Sequence, residues 1–156
     1  MKVHDIMNRP ARVCHLQTDL ATASRRTKET AAGMLVVIDS HGRIAGVVTD
    51  RDLALAMDTE AADIRTLPIG RIMTRRVHTC HEDDDLHEAL ARMASRRVRR
   101  LPVLNRGGDL QAVISIDDLI LWAVQQGGVT AKELVSALRH ICAPHIVPVE
   151  PEVPRF

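Results

Sequence analysis

Two phrases in the chain set a hydroxyl three residues before a carboxylate: Thr49 and Asp52 in V-V-T-D-R-D (47–52), Ser115 and Asp118 in V-I-S-I-D-D (113–118). At a helix start, such a hydroxyl caps free backbone N–H groups and the acidic third residue suits the helix dipole, worth about 1 kcal/mol of helix stability. The same start offers N–H groups and positive potential to a bound anion such as a phosphate. On the residues alone both readings stand. A second matched set is Cys14-His15 and Cys80-His81, with His78 close to the latter. Cys and His are zinc ligands. Adjacent strand residues point to opposite faces, however, so one metal is not expected to take both members of a pair. A buried Cys acting as a small hydrophobe is the plainer reading. The expectation is no metal, with Cys14, His15, Cys80 and His81 as the alternative zinc or redox set; Cys142 is a further, weaker redox candidate.

The densest charge run is Arg96-Arg97-Val98-Arg99-Arg100. It can contact phosphates or nucleic acid, and it equally suits the C-terminal end of a helix, whose dipole favours cations. The run His81-Glu82-Asp83-Asp84-Asp85 reads as a carboxylate-rich helix start rather than a metal site. The chain has no phosphate-cradling glycine loop and no nucleophile beside a positioned base. A non-catalytic protein is expected.

The two phrases belong to a longer repetition. Aligned without gaps at an offset of 66, residues 5–57 and 71–123 are identical at 16 of 53 positions, among them Ile6/Ile72, Met7/Met73, Cys14/Cys80, Asp19/Asp85, Leu35/Leu101, Gly42/Gly108, Val47/Val113 and Asp52/Asp118. Each copy predicts strand–helix–strand–strand–helix. A short strand lies near Val13 or Thr79, and a helix opens at Asp19-Leu20 or Asp85-Leu86. In the second helix Leu86, Leu90, Met93 and Val98 form an apolar stripe; in the first, Thr27 stands where Met93 does. Hairpins follow, Met34 to Ile38 with 44–48 and Leu101 to Leu104 with 110–114, turning at Gly42 and Gly108. The hydroxyl–carboxylate phrases then begin a helix. Thr130-Ala-Lys-Glu133 is a capping box for one more helix, to about Cys142. The expected organisation is copy one at 1–57, a linker at 58–68, copy two at 69–124, a C-terminal helix at 125–143 and a Pro-rich tail at 144–156.

Composition narrows the function. Apolar residues make up 46% and aromatics 1%, so the core is aliphatic and an aromatic platform for stacking bases is missing. A net charge of +1 gives no general pull toward nucleic acid or membrane. The longest apolar run, Leu119 to Val124, is far too short to span a bilayer, and M-K-V-H-D-I-M-N-R-P does not read as a signal peptide. Three widely spaced Cys argue against a disulfide framework. A soluble, cytoplasmic protein is expected, binding neither nucleic acid nor membrane.

The ordered set D-I-M (5–7), R-I-M (71–73), L-P-V (101–103), Gly42, Gly108, G-V-V-T-D-R-D-L (46–53) and A-V-I-S-I-D-D-L (112–119) resembles the tandem CBS-domain family, named after cystathionine beta-synthase. Such a pair is also called a Bateman module. The resemblance covers roughly 1–124, and the whole chain is similar to small stand-alone bacterial members of the hypoxic response protein type. It implies an α/β fold of the α+β type, with two units packed about a pseudo-two-fold axis and two clefts between them. It implies a regulatory role and a bound adenosine compound: AMP, ADP, ATP, S-adenosylmethionine or an NAD-type dinucleotide. Asp52 and Asp118 would take the ribose and Thr49 and Ser115 would face the phosphate, with cationic help from Arg51, Arg99 or Arg100. Ala11 and Val77, with Leu35 and Leu101, would wall the adenine. A homodimer is expected, and an effector protein is a conceivable partner. The alternative function is an interaction module with empty clefts.

Overall fold

The computed structural model describes residues 1–30, 33–58, 64–123 and 126–143. The expected Pro-rich tail and residues 59–63 of the expected linker lie outside the described residues.

In the first copy β1 (Val13–His15) leads to α1 (Leu20–Thr30), the hairpin β2 (Met34–Ile38) and β3 (Ile44–Thr49), then α2 (Asp50–Met57). The second repeats this with β4 (Cys80–His81), α3 (Leu86–Arg96), β5 (Arg100–Leu104), β6 (Leu110–Ser115) and α4 (Ile116–Asp118). The last element departs from expectation. After one α-helical turn the backbone widens into a π-helical turn over Leu119–Ala123, which leaves Ile120, Leu121 and Trp122 exposed. The extra helix α5 (Ala131–Ile141) starts at the predicted Thr130–Glu133 capping box and lies against α3.

Each copy forms a three-stranded sheet, ordered β1-β2-β3 and β4-β5-β6, with a parallel pair followed by an antiparallel hairpin. The registers match at the repeat offset: Val36 faces Val47 as Pro102 faces Val113, and both hairpins carry an irregularity at the same place. The helical face of each central strand carries Leu35 and Val37, or Leu101 and Val103, into an aliphatic core. Thr27 is nearly as buried as its counterpart Met93, and its hydroxyl donates to the Ser24 carbonyl at 2.9 Å, which satisfies it inside the helix.

The two copies exchange their leading segments. Val3, Ile6 and Met7 belong to the core of the second copy, whereas Ile69 and Met73 belong to the core of the first. The exchanged chains extend the sheets. Val47 N–H donates to Thr74 O at 3.0 Å and Thr74 N–H to Val47 O at 2.9 Å; Asn8 N–H donates to Val113 O at 2.9 Å and Val113 N–H to Asn8 O at 3.2 Å. Gly46 allows the first of these contacts. A Cβ there would sit 2.6 Å from Met73 Sδ and 2.9 Å from Thr74 O. The D-I-M and R-I-M motifs are therefore the means by which each half completes the other.

Candidate ligand cleft

Both hydroxyl–carboxylate phrases form capping boxes. Thr49 N–H and its hydroxyl donate to Asp52 Oδ2 at 2.8 and 2.7 Å, and Asp52 N–H donates to Thr49 Oγ1 at 3.3 Å. The Ser115–Asp118 box repeats this at 2.7, 2.6 and 3.2 Å. The helix-capping reading is thus correct for both.

The second oxygen of each carboxylate separates the copies. Asp118 Oδ1 accepts a 2.6 Å hydrogen bond from the Asn8 side chain, and the residue is 7% exposed. Thr74 is the counterpart of Asn8 and has a shorter side chain. Asp52 Oδ1 has no hydrogen-bond partner among the described residues, and Asp52 is half-buried.

Asp52 lines a cleft of about 670 Å³ together with Thr49 and Arg51 at the start of α2. Its other walls come from four places. The exchanged segment supplies Arg76, Val77 and His78; the passage from α3 into β5 supplies Arg97 to Arg100; the strands supply Met34, Val47 and Pro102; and the end of α5 supplies Ile141, Cys142 and Ala143. Two backbone features shape the cationic wall. Arg97 ends α3 in the left-handed conformation at φ 54°, a position that favours glycine. Gly33, at φ +58°, lies under the Arg100 guanidinium, and a Cβ there would meet Nη2 at 2.6 Å. Burial, then Arg96 and Arg76, hold the His78 pKa below the ordinary histidine value.

Arg51, Arg97, Arg99 and Arg76 make no ion pair among the described residues, and Arg100 meets only the exposed Asp117, at 3.7 Å. Arg99 instead donates to Cys142 Sγ at 3.3 Å. Of the charge run at 96–100, Arg97, Arg99 and Arg100 line the cleft, and Arg96, Arg97 and Arg99 are exposed, as at a solvated helix end. At the repeat offset, Arg97, Arg99 and Arg100 correspond to Ala31, Gly33 and Met34, and Arg76 corresponds to Pro10. The arginines are thus not repeated in the first copy, although Arg100 also pairs with Ser115 across the β5–β6 hairpin, close to Asp118.

Several expected wall residues are elsewhere. Leu35 and Leu101 are 1% and 0% exposed and pack in the two cores, because strand side chains alternate. Their neighbours Met34 and Pro102 reach the cleft instead. Ala11, the counterpart of Val77, pairs its N–H with Gln111 O beside the second copy's sheet, the sheet that leads to Asp118, and is not among the residues lining the Asp52 cleft. Val77 lines the cleft.

The alternative zinc or redox set is not brought together among the described residues. Cys14 and Cys80 are fully buried in separate cores, while His15 and His81 are exposed. Burial pushes the Cys14 thiol up to about 11 and the Cys80 thiol up to about 12. No group of three His, Cys, Asp or Glu residues that could hold a metal occurs among the described residues. The acidic run is spoken for: Glu82, Asp83 and Asp84 pair with Arg9, Arg106 and Arg92, and Asp85 caps α3. Only Cys142 is exposed. A thiol reagent is therefore expected to label Cys142 alone in the native protein and all three cysteines in denaturant; rapid native labelling of three would contradict the burial.

The family model for the CBS domain matches residues 3–59 and again 69–124. The chain belongs to the CBS-domain family. It is 34% identical over 118 residues to an uncharacterized 17.7 kDa protein of Acidianus ambivalens, covering 76% of this chain and 70% of that one. It is 30% identical over 117 residues to the arabinose 5-phosphate isomerase KpsF of Escherichia coli, of which the match spans only 36%. The fold is that of the CBS domain pair of protein MJ0100, solved with 5'-methylthioadenosine and S-adenosyl-L-methionine, at a TM-score of 0.71, 24% identity, and 81% and 98% coverage of the two chains. It is also that of Hypoxic Response Protein I, solved with two coordinated zinc ions, at a TM-score of 0.68, 23% identity, and 78% and 98% coverage. Among the described residues of this CBS pair, no helix is long and apolar enough to cross a membrane.

Sequence reasoning missed Arg76 and Arg97 as cleft residues, as well as the end of α5. The signal for the arginines was present: each faces an uncharged residue at the repeat offset, so charge is a difference between the copies.

Proposed function

We propose that this CBS pair is a non-catalytic regulatory module that binds one adenosine-containing ligand in the Asp52 cleft. The observation that carries the reading is the contrast between the carboxylates. Asp52 Oδ1 is unpaired beside a roomy cleft, whereas Asp118 is consumed by Asn8 and Ser115. A carboxylate so placed can accept from both ribose hydroxyls, and the start of α2 can face a phosphate. Met34, Val47, Val77 and Pro102 offer apolar surface to an adenine. The adenosine compounds in the solved MJ0100 pair support the ligand class. The test is thermal unfolding against AMP, ADP, ATP, NAD and S-adenosylmethionine. A ligand at about 100 times its Kd adds about 2.7 kcal/mol, a rise of about 5–10 °C for a chain of this size. No rise with any of them contradicts the reading.

The same helices suggest how the module assembles. Leu55 and Leu121 are equivalent in the repeat and are 60% and 58% exposed, next to Met57 and Trp122. A second copy of the chain covers this apolar surface, so a homodimer is the assembly we propose. Leu55→Glu with Leu121→Glu is expected to give a monomer by sedimentation, and an unchanged sedimentation coefficient contradicts this interface.

A further inference from the structure

We infer that the Asp52 cleft selects a nucleoside polyphosphate, a di- or triphosphate, over a monophosphate, a free nucleoside or S-adenosylmethionine. This inference rests on the adenosine reading and names the class within it.

The charge inventory decides between ligands of the same base. Five arginines, Arg51, Arg76, Arg97, Arg99 and Arg100, line the cleft with Asp50 and Asp52, and all of these arginines but Arg100 are exposed to solvent. Asp52 is already engaged through one oxygen by Thr49, and Asp117 meets Arg100 only at 3.7 Å from an exposed position. Four of the five arginines lack an acidic partner among the described residues. Gathering like charges around one concavity costs energy in the free protein, and a polyanion relieves that repulsion. One ribose needs one carboxylate, and one phosphate is served by the start of α2 together with Arg51. The other four guanidiniums stand on the facing walls, at the exchanged segment and the α3–β5 passage, and each added phosphate brings about one more negative charge toward them. Guanidinium is suited to this by its planar fork of donors.

The backbone supports the same conclusion. Arg97 occupies a left-handed position where glycine is the unstrained choice, and it does so on the cleft wall. Gly33 gives up its Cβ to admit the Arg100 guanidinium. S-adenosylmethionine carries a positive sulfonium in place of the first phosphate and is repelled by the same wall.

The experiment is competition calorimetry on the full chain in EDTA, so that guanidiniums rather than a metal face the phosphates. The probes are ATP, ADP, AMP, adenosine, S-adenosylmethionine and inorganic tripolyphosphate. ATP is expected to bind at least about tenfold more tightly than AMP, the gain of one further charge-assisted bond, and to lose affinity with salt more steeply. R76Q and R97G should shrink the ATP-to-AMP ratio several-fold. R97G also relieves the left-handed strain, so a folding defect does not confound it. Equal binding of ATP and AMP, or tighter binding of S-adenosylmethionine, overturns the inference while the adenosine reading stands. Tripolyphosphate matching ATP upholds a polyphosphate site and overturns the adenosine reading. No binding of any probe overturns both. Alkylation of Cys142 gives an independent readout: ATP is expected to slow it and adenosine to leave it nearly unchanged, and equal protection by both contradicts the phosphate wall.

Discussion

D52A is expected to lower the affinity for the proposed adenosine ligand by about tenfold to a hundredfold, and D118A to leave affinity unchanged while destabilising the fold. The first effect follows from losing charge-assisted hydrogen bonds to ribose, worth about 1.5–3 kcal/mol. Its cost in stability is the loss of one capping box, about 1 kcal/mol. The second effect follows from what Asp118 holds. Its removal leaves the Asn8 amide and the Ser115 hydroxyl without their acceptor in a site where Asp118 is 7% exposed. Ser115 is buried, so its unsatisfied donors cost about 1–3 kcal/mol, whereas Asn8 is exposed and its amide can turn to solvent. Tm is expected to fall by about 5–12 °C, against about 2–4 °C for D52A. Paired calorimetry and thermal melts on the two variants check both halves. Equal affinity losses in D52A and D118A would contradict the division of labour between the copies.

The other large effect concerns the exchanged segments. Val3 and Ile69 are equivalent residues, both 0% exposed, and each is buried in the core of the other copy. I69A deletes buried methyl and methylene groups and leaves a cavity, for about 2–4 kcal/mol. V3A should cost somewhat less, about 1.5–3 kcal/mol, because fewer atoms are removed. The more telling expectation is cooperativity. Each half contributes to the core of the other, so both variants are expected to lower one common unfolding transition. A calorimetric trace with two transitions, only one of them moved by I69A, would show that the halves fold independently.

How far the residues alone led depended on how local each feature was. The hairpins, capping boxes and helix order follow from short-range rules, and a gapless repeat carried every assignment from one copy to the other. The helical interior tolerated Thr27 because its hydroxyl found a carbonyl within its own helix. The exchange of Val3, Ile6 and Met7 for Ile69 and Met73 was hidden. A segment's own pattern shows that it is apolar but not which half it joins. The expected cleft walls slipped by one residue for a related reason. Leu35 and Leu101 were chosen as the most apolar positions, and in a strand buried on both faces apolarity does not say which face is which. Met34 and Pro102, one residue away, take the cleft face.

The charge asymmetry was legible and went unread. A repeat invites attention to what matches, and the difference in charge lies in what does not: Arg76, Arg97, Arg99 and Arg100 against Pro10, Ala31, Gly33 and Met34. Similarly, Asn8 and Thr74 differ by little in sequence. Yet only the amide reaches across to the neighbouring carboxylate, and that single 2.6 Å bond distinguishes a structural Asp118 from an available Asp52. The end of α5 joined the cleft because Leu134, Ala137 and Ile141 dock the helix on the second core, which leaves Cys142 facing Arg99. No local rule predicts that meeting.

The most direct test of the central claim is the stoichiometry of binding by isothermal titration of the intact chain with ATP. One site per chain, lost in D52A and kept in D118A, is the predicted result. Two equivalent sites per chain, or a single site that survives D52A and disappears in D118A, would contradict it.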